Sequence, residues 1–522
     1  MKLTSQAEGA DPILTRAIAE DKVRWWKKPN LRYLYLFLFP TCMGIEITSG
    51  FDSQIINAVQ IVDPWQEYFD HPEGALLGII GAMYSLGAIC SLPFIPYMTQ
   101  KFGRRWSIFI GSWIMVIGAA IQAASQHVGM YLFARWLLGF GIPTCIISGA
   151  AMLGELGYPK ERPILTSLFN ASYFIGAITA AGITFGTQSL APSDWSWRVP
   201  SLLQAVPSFI QIALIFFVPE SPRWLISQDR HSEAYEILVT YHAEGNRDSA
   251  LVQAEMAQIE NTIKMELQTS TQSWLDMLAT PGMRKRVLIG ALLGLFTQWS
   301  GNTLISYYLN SILESIGYTD SDFKAKLNIG LNCWALVNAT CASLLVRRFP
   351  RRKMYLLCAS SLLVCYCGWT IAQERFLTTG VVAAGHAVIF FMFLYSPCYN
   401  IGYNALTYTF LVELFPFAVR TRGIALFQFF GRGAGFFSTF VNPIGLKNAT
   451  WKYLIMYCVW LAFEVVCIYF LWPETHGRTL EELTFLFEDK ALQEQQEKVT
   501  MTELHKDTSV ERVEVVEMKS RG

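Results

Sequence analysis

The chain of 522 residues is 52% hydrophobic and 14% aromatic but only 16% charged, against roughly 25% in soluble domains. Its mean hydropathy is +0.31, the composition of an integral membrane protein. Forty-one basic residues balance forty-one acidic ones, so no global charge calls for nucleic acid, and the basic residues matter only through where they lie.

The first thirty residues mix Glu8, Asp11, Glu20 and Asp21 with basic side chains and hold no apolar core or small-residue cleavage site, so no cleavable signal peptide is expected. Apolar runs of about 20 residues, the length that crosses about 30 Å of hydrocarbon, then recur along the chain. They fall near 33–59, 74–97, 107–126, 129–151, 163–186 and 199–218, and again near 286–313, 327–346, 354–373, 380–412, 421–445 and 452–472. The expected fold is all-α and integral to the membrane, with twelve transmembrane helices in two groups of six. Pro397 and Gly402 predict a kink in the tenth span, which is too long for one straight crossing. Lys27, Lys28 and Arg32 precede the first helix and Lys101, Arg104 and Arg105 follow the second, whereas 62–74 has acids but no Lys or Arg. By the positive-inside rule both termini are expected in the cytoplasm. The chain thus divides into a tail (1–32), a six-helix bundle (33–218), a polar, partly amphipathic linker (219–285), a second bundle (286–472) and a C-terminal tail (473–522). That tail, from about Glu488, has no sustained apolar face and is expected to be disordered. Eleven cysteines lie mostly in apolar segments without C-x-x-C or a His set at ligand spacing, so they read as buried thiols rather than a metal site.

The two groups of six repeat each other. "FGRRWSI" after the second helix returns as "FPRRKMY" after the eighth, "GELGYPKERPILTSL" after the fourth as "VELFPFAVRTRGIAL" after the tenth, and "PESPRWL" after the sixth as "PETHGRTLEEL" after the twelfth. Glu155 and Arg162 match Glu413 and Arg420 at the same internal spacing. Three matches in register predict two bundles related by a pseudo-two-fold along the membrane normal, with a path between them. These motifs resemble the sugar porter family of the major facilitator superfamily from Gly50 to about Leu483, and "NASYFIGAI", "QWSGNTLISYYL" and "VNPIGL" are similar to its fungal lactose permease and cellodextrin transporter subgroup.

The resemblance assigns Arg104, Arg105, Glu155, Arg162, Arg223, Arg351, Arg352, Glu413 and Arg420 to a cytoplasmic gate; the bland alternative is topology plus solvated ion pairs. The chain departs from the family at Gln100, Arg347 and Pro350, which makes Glu155 and Glu413 the firmer anchors. A sugar presents hydroxyls and apolar C–H faces, so its site needs amides and aromatic platforms. Gln298 and Asn302 share a helix face, followed by Tyr307 and Tyr308, and the resemblance adds Asn170 and Tyr408. Asn332 and Asn442 are further candidates. Thr297, Thr303 and Gly431 stand where the family has larger or amide side chains, which suits a disaccharide as well as glucose.

An ionisable residue inside a span is a functional candidate because its charge is costly there unless paired or wetted. Asp52, in "SGFDSQIINAVQ", has Arg135 as the only basic residue deep in a first-half helix, and burial and a nearby guanidinium act on a carboxyl in opposite senses. The resemblance makes this pair the proton-coupling site; a static ion pair is the alternative, and Glu46 competes for the role. "GRGAGFF", 431–437, reads as close helix packing. The expectation is therefore a sugar:proton symporter for a hexose or a β-linked disaccharide such as lactose or cellobiose. It would be a monomer in the plasma membrane whose partners are the sugar, protons and the bilayer, with no cofactor, metal or nucleic acid. The rival readings are a uniporter, a porter of a polyol, quinate or secondary metabolite, and a non-transporting sensor. No nucleophile and base pair or phosphate loop points to an enzyme.

Overall fold

A computed structural model describes residues 23–269, 277–345, 349–415, 419–475 and 487. The C-terminal tail from Glu488 lies outside them, as do Arg347 and the side chain of Arg420. In hydrocarbon every backbone N–H and C=O must be satisfied within its own segment, so apolar runs become helices. In chain order these are α1 (Pro29–Val59), α2 (Ala75–Ser91), α3 (Phe94–Ala123), α4 (Val128–Leu156), α5 (Arg162–Thr187) and α6 (Trp195–Phe217). Short helices α7 (Pro222–Ser227), α8 (His231–His242) and α9 (Ala250–Thr269) form the linker. The second half comprises α10 (Pro281–Trp299), α11 (Asn302–Ser315), α12 (Ser321–Leu345), α13 (Arg351–Thr379), α14 (Val382–Tyr399), α15 (Thr407–Leu414), α16 (Arg420–Ala449) and α17 (Trp451–Leu471).

Among the described residues nine helices are individually long and apolar enough to cross a membrane. The other three crossings are made by α2, by α10 with α11, and by α12, which carries Asn328 and Asn332 toward an internal cavity. The seventh crossing breaks at Ser300–Gly301. Gly301 is in the left-handed region at φ 94°, and a Cβ there would overlap the Tyr366 ring. The tenth crossing loosens into a π-turn at Asn400–Asn404, just after Pro397, where the sequence predicted a kink.

Helix neighbours repeat between the halves. α1 packs on α5 as α10 packs on α16, α2 on α4 as α12 on α14, and α3 on α6 as α13 on α17. Across the halves α2 meets α16 and α5 meets α12, which are again the same pair after exchange. This is the major facilitator fold: two pseudo-symmetric six-helix bundles, each with its own apolar core. The bundles are stitched together at the end opposite the arginine turns. Gln54 Nε2 donates to Asn328 Oδ1 (2.6 Å), Gln60 Nε2 to the Tyr307 carbonyl (2.8 Å), and the Leu309 N–H to Asn57 Oδ1 (3.2 Å). Lys447 pairs with Glu73 at the surface of this end (2.7 Å).

Gly78 of α2 packs closely on α16, and a Cβ there would overlap the Phe440 carbonyl oxygen. Gly78→Val is therefore expected to open the sealed end. In a Gln60→Cys background the added valine should accelerate labelling by a membrane-impermeant maleimide several-fold, and an unchanged rate would show that the seam does not depend on this contact.

Candidate functional site: a polar cavity between two bundles

Between the halves lies a cavity of about 380 Å³, within the range of about 300–1,000 Å³ usual for small-molecule sites. Its walls come from eight crossings, four in each half, and most of its polar groups are amides and hydroxyls. Asn170 on α5, Gln298 on α10, Asn302 and Tyr307 on α11, Asn332 on α12 and Tyr408 on α15 all line it. Tyr408 is 45% exposed and lies five residues before Glu413, so it marks the mouth on the side of the arginine turns. Gln54, Asn328, Asn400, Asn404 and Gln428 also line the cavity. Sequence reading missed these five, because an amide in a span is equally a helix-to-helix tie until the neighbouring helix is placed.

Asn442 does not line it. The residue is fully buried within the second bundle, where Oδ1 accepts from Tyr453 (2.8 Å) and Tyr457 (2.5 Å) and Nδ2 donates to Thr303 Oγ1 (3.2 Å). Its candidacy as a substrate ligand is corrected: the amide ties α16 to α17 and α11. Asn442→Ala is expected to strand two tyrosine hydroxyls and cost about 2 kcal/mol, lowering the thermal midpoint while the folded fraction keeps its substrate KM.

Asp52 and Arg135 are brought together and both are fully buried. They do not form a carboxylate–guanidinium pair. Arg135 Nη1 donates to the Asp52 backbone carbonyl at 3.0 Å, its guanidinium lies 4.9 Å from the centre of the Tyr84 ring, and neither Asp52 carboxylate oxygen accepts a hydrogen bond from a described residue. Glu46, two turns earlier on α1, lines the cavity instead. Arg432, in the middle of α16, lines it too and acts electrostatically on Glu46 from the opposite half. The sequence reading took 431–437 for packing and sought partners for the α1 acids only within the first half. An arginine inside a span was the available signal.

At the end carrying the arginine turns, each half repeats one construction. Glu220 accepts from the backbone N–H groups of Arg104 and Arg105 (3.1 Å each), and Glu474 from those of Arg351 (2.9 Å) and Arg352 (3.2 Å). Each carboxylate thus caps a helix start, in α3 that of the segment after the break at Gly103 (φ 83°) and in α13 its first turn, where unpaired N–H groups and the helix dipole favour an anion. Arg104 grips Glu155 through Nη2 (3.1 Å) and Nε (3.2 Å), and Arg351 reaches Glu413 at 3.3 Å. Ser221 and Thr475 add a hydroxyl donor to the same two acids. Arg105 donates to the Phe216 carbonyl (3.0 Å) and Arg352 to that of Tyr469, so these two tie α3 to α6 and α13 to α17. Arg223, on α7, is half-buried, and the acid in its motif that reaches the turn is Glu220. Sequence reading passed over Glu220 and Glu474, although both lie in the repeated "PES" and "PET".

Arg162 turns toward the linker, binding Glu255 Oε1 at 2.9 Å. His242 Nδ1 lies 2.7 Å from the other Glu255 oxygen and its Nε2 3.2 Å from the Leu156 carbonyl. Burial alone would raise the Glu255 carboxyl, but His242 and Arg162 outweigh it and hold it below the usual carboxylate range. A depressed native value contributes stability that is complete above the ordinary Glu value of about 4.3 and is lost as pH falls through the native value. Linker protection in hydrogen exchange should therefore hold through neutral pH and fail only in acid below that point. Glu255→Gln should lose it at every pH and cost about 3 kcal/mol, the scale for breaking a buried pair.

Two rigid bundles around a central polar cavity, closed at one end and clamped within each half at the other, define a multi-pass secondary transporter of the major facilitator fold. Residues 37–487 match the family described as sugar (and other) transporter, and the chain belongs to that family. It is a transporter and not an enzyme. It is 30% identical to the MFS-type transporter oryC of Aspergillus oryzae over 83% of this chain and 82% of that one. It is 26% identical to the arabinose-proton symporter of Bacillus subtilis over 84% and 92%. Among solved structures, a partially occluded inward-open form of the xylose transporter XylE from E. coli superposes with a TM-score of 0.72 at 20% identity, covering 86% of this chain and all of that one.

Proposed function

We propose that the protein imports a polyhydroxylated solute of sugar size, a hexose or a disaccharide, together with protons by alternating access at the plasma membrane. The observation that carries this reading is the cavity itself: amides and tyrosines from both bundles, suited to hydroxyls and C–H faces, beside a buried acid and arginine on α1 and α4. The named relative that couples arabinose to protons supports the same assignment.

The positive-inside rule puts the arginine turns, the linker and both termini in the cytoplasm, so the form described here faces inward. Outward opening then requires the Gln54, Asn57 and Gln60 contacts to part and the two clamped ends to meet. Glu155, Arg162, Arg223, Glu413 and Arg420, with the paired arginines Arg104, Arg105, Arg351 and Arg352, supply the charges that close the cytoplasmic side. Asp52 carries the proton. With the acid neutral, Arg135 is held by the Asp52 backbone carbonyl; with it ionised, the guanidinium turns to the carboxylate and draws α1 toward α4. Glu46 is the competing carrier, closer to the cavity. The sugar contacts fall to Asn170, Gln298, Asn302, Tyr307, Asn332 and Tyr408, and one chain suffices for all of them.

Asp52→Asn is expected to abolish accumulation against a gradient while leaving exchange of labelled sugar across proteoliposomes within a few-fold of wild type. A variant that still concentrates substrate would refute the assignment of the proton to Asp52. Wild-type protein that exchanges no sugar, neutral or acidic, would refute the sugar assignment.

A further inference from the structure

Arg432 lies twelve residues into α16, about 18 Å from its first turn at 1.5 Å per residue, and so at mid-depth of a hydrocarbon layer about 30 Å thick. A guanidinium at that depth costs several kcal/mol unless it is wetted or paired. Here it lines the cavity and is only half-buried. Among the described residues it makes no hydrogen bond, ion pair or ring contact, so its fork of N–H donors stands unused beside the substrate space.

Among the described residues the only other charged side chain on the cavity wall is Glu46, from the opposite bundle. The two act on each other electrostatically but do not close to ion-pair distance, which leaves the space between them for a ligand. The remaining titratable groups around Arg432 are the hydroxyls of Tyr84 on α2, Tyr173 on α5 and Tyr408 on α15. Hydroxyl recognition alone needs no cation, since Gln298, Gln428 and Asn404 already offer amides. A planar fork at the edge of an amide-lined cavity matches a carboxylate held bidentately.

We propose that the preferred substrate is a sugar bearing one carboxylate, a uronic acid or a disaccharide containing one, whose carboxylate is bound by Arg432. This rests on the sugar reading above and narrows it. Charge balance selects a monoanion. Arg432 and one carboxylate cancel when Glu46 carries a proton, whereas a phosphate dianion would leave the cavity with net negative charge. Glu46 therefore acts as the counter-charge that Arg432 exchanges for substrate.

The test is counterflow exchange in proteoliposomes with the full chain, using labelled D-glucuronate and D-galacturonate against D-glucose and D-galactose. The expected result is that each acid competes at least tenfold better than its parent hexose. Arg432→Gln should then weaken the acids at least tenfold and the neutral hexoses less than threefold, and Arg432→Lys should recover part of the difference. Solubilised variants are first checked for an unchanged thermal midpoint. If Arg432→Gln does not fold, the wild-type preference and the lysine variant still decide. Neutral hexoses exchanging as well as the acids, or both classes falling equally in the variants, would overturn the proposal. Arg432 would then be a conformational partner of Glu46, and the sugar reading would stand. Exchange of neither class would overturn the sugar reading itself.

Discussion

A polar or charged group in the hydrocarbon must find a partner or water, and the architecture follows from how this chain meets that requirement. Its lipid-facing positions are apolar and exposed, as at Leu344, Val364 and Phe470. Its amides, tyrosines and charges turn inward, onto one cavity between the bundles. Several groups that do not reach the cavity are satisfied inside a bundle. Asn442 holds two tyrosines and a threonine, and Glu464, fully buried on α17, accepts from Tyr403 at 2.7 Å beside the π-turn. No described group binds either carboxylate oxygen of Asp52, nor either side-chain polar atom of Gln204 on α6. Asp52 sits beside Arg135, the arrangement on which the proton-coupling proposal rests.

In the proposed alternating-access cycle, movement passes from the cavity to the ends that carry the arginine turns, and the repeated clamps would let each half move as a body. Glu220 fixes the start of the α3 segment that follows the break at Gly103 and Glu474 the start of α13, while Arg104 with Glu155 and Arg351 with Glu413 lock those starts to α4 and α15. The hydrogen bonds at the sealed end join different bundles and are few, so they can part without loss inside either bundle. Clamps within the halves and ties between them thus divide the labour of a rocking mechanism.

Much of this was legible in the sequence. Apolar run length placed the crossings, and three motifs repeated in register announced the two bundles and their pseudo-symmetry. Pro397 marked the loosened tenth helix. The cavity amides Gln298 and Asn302 were visible because residues four apart share a helix face. What stayed hidden depended on which face of one helix meets another. Asn442 reads the same as Asn332 in sequence, yet one is consumed by two tyrosines and the other faces the cavity. Arg432 was obscured by the glycines around it, which suggested packing, and its relation to Glu46 joins residues nearly 400 positions apart in opposite halves. The caps made by Glu220 and Glu474 need backbone positions, which no side-chain pattern reveals.

The central claim is that solute and proton cross together. It is tested most directly in lightly buffered proteoliposomes with no imposed gradient, by adding substrate outside and recording the external pH with an electrode. Net entry of a proton with each solute predicts alkalinisation of the medium that saturates with substrate and disappears in Asp52→Asn. Saturable substrate entry with no change in external pH would contradict the account.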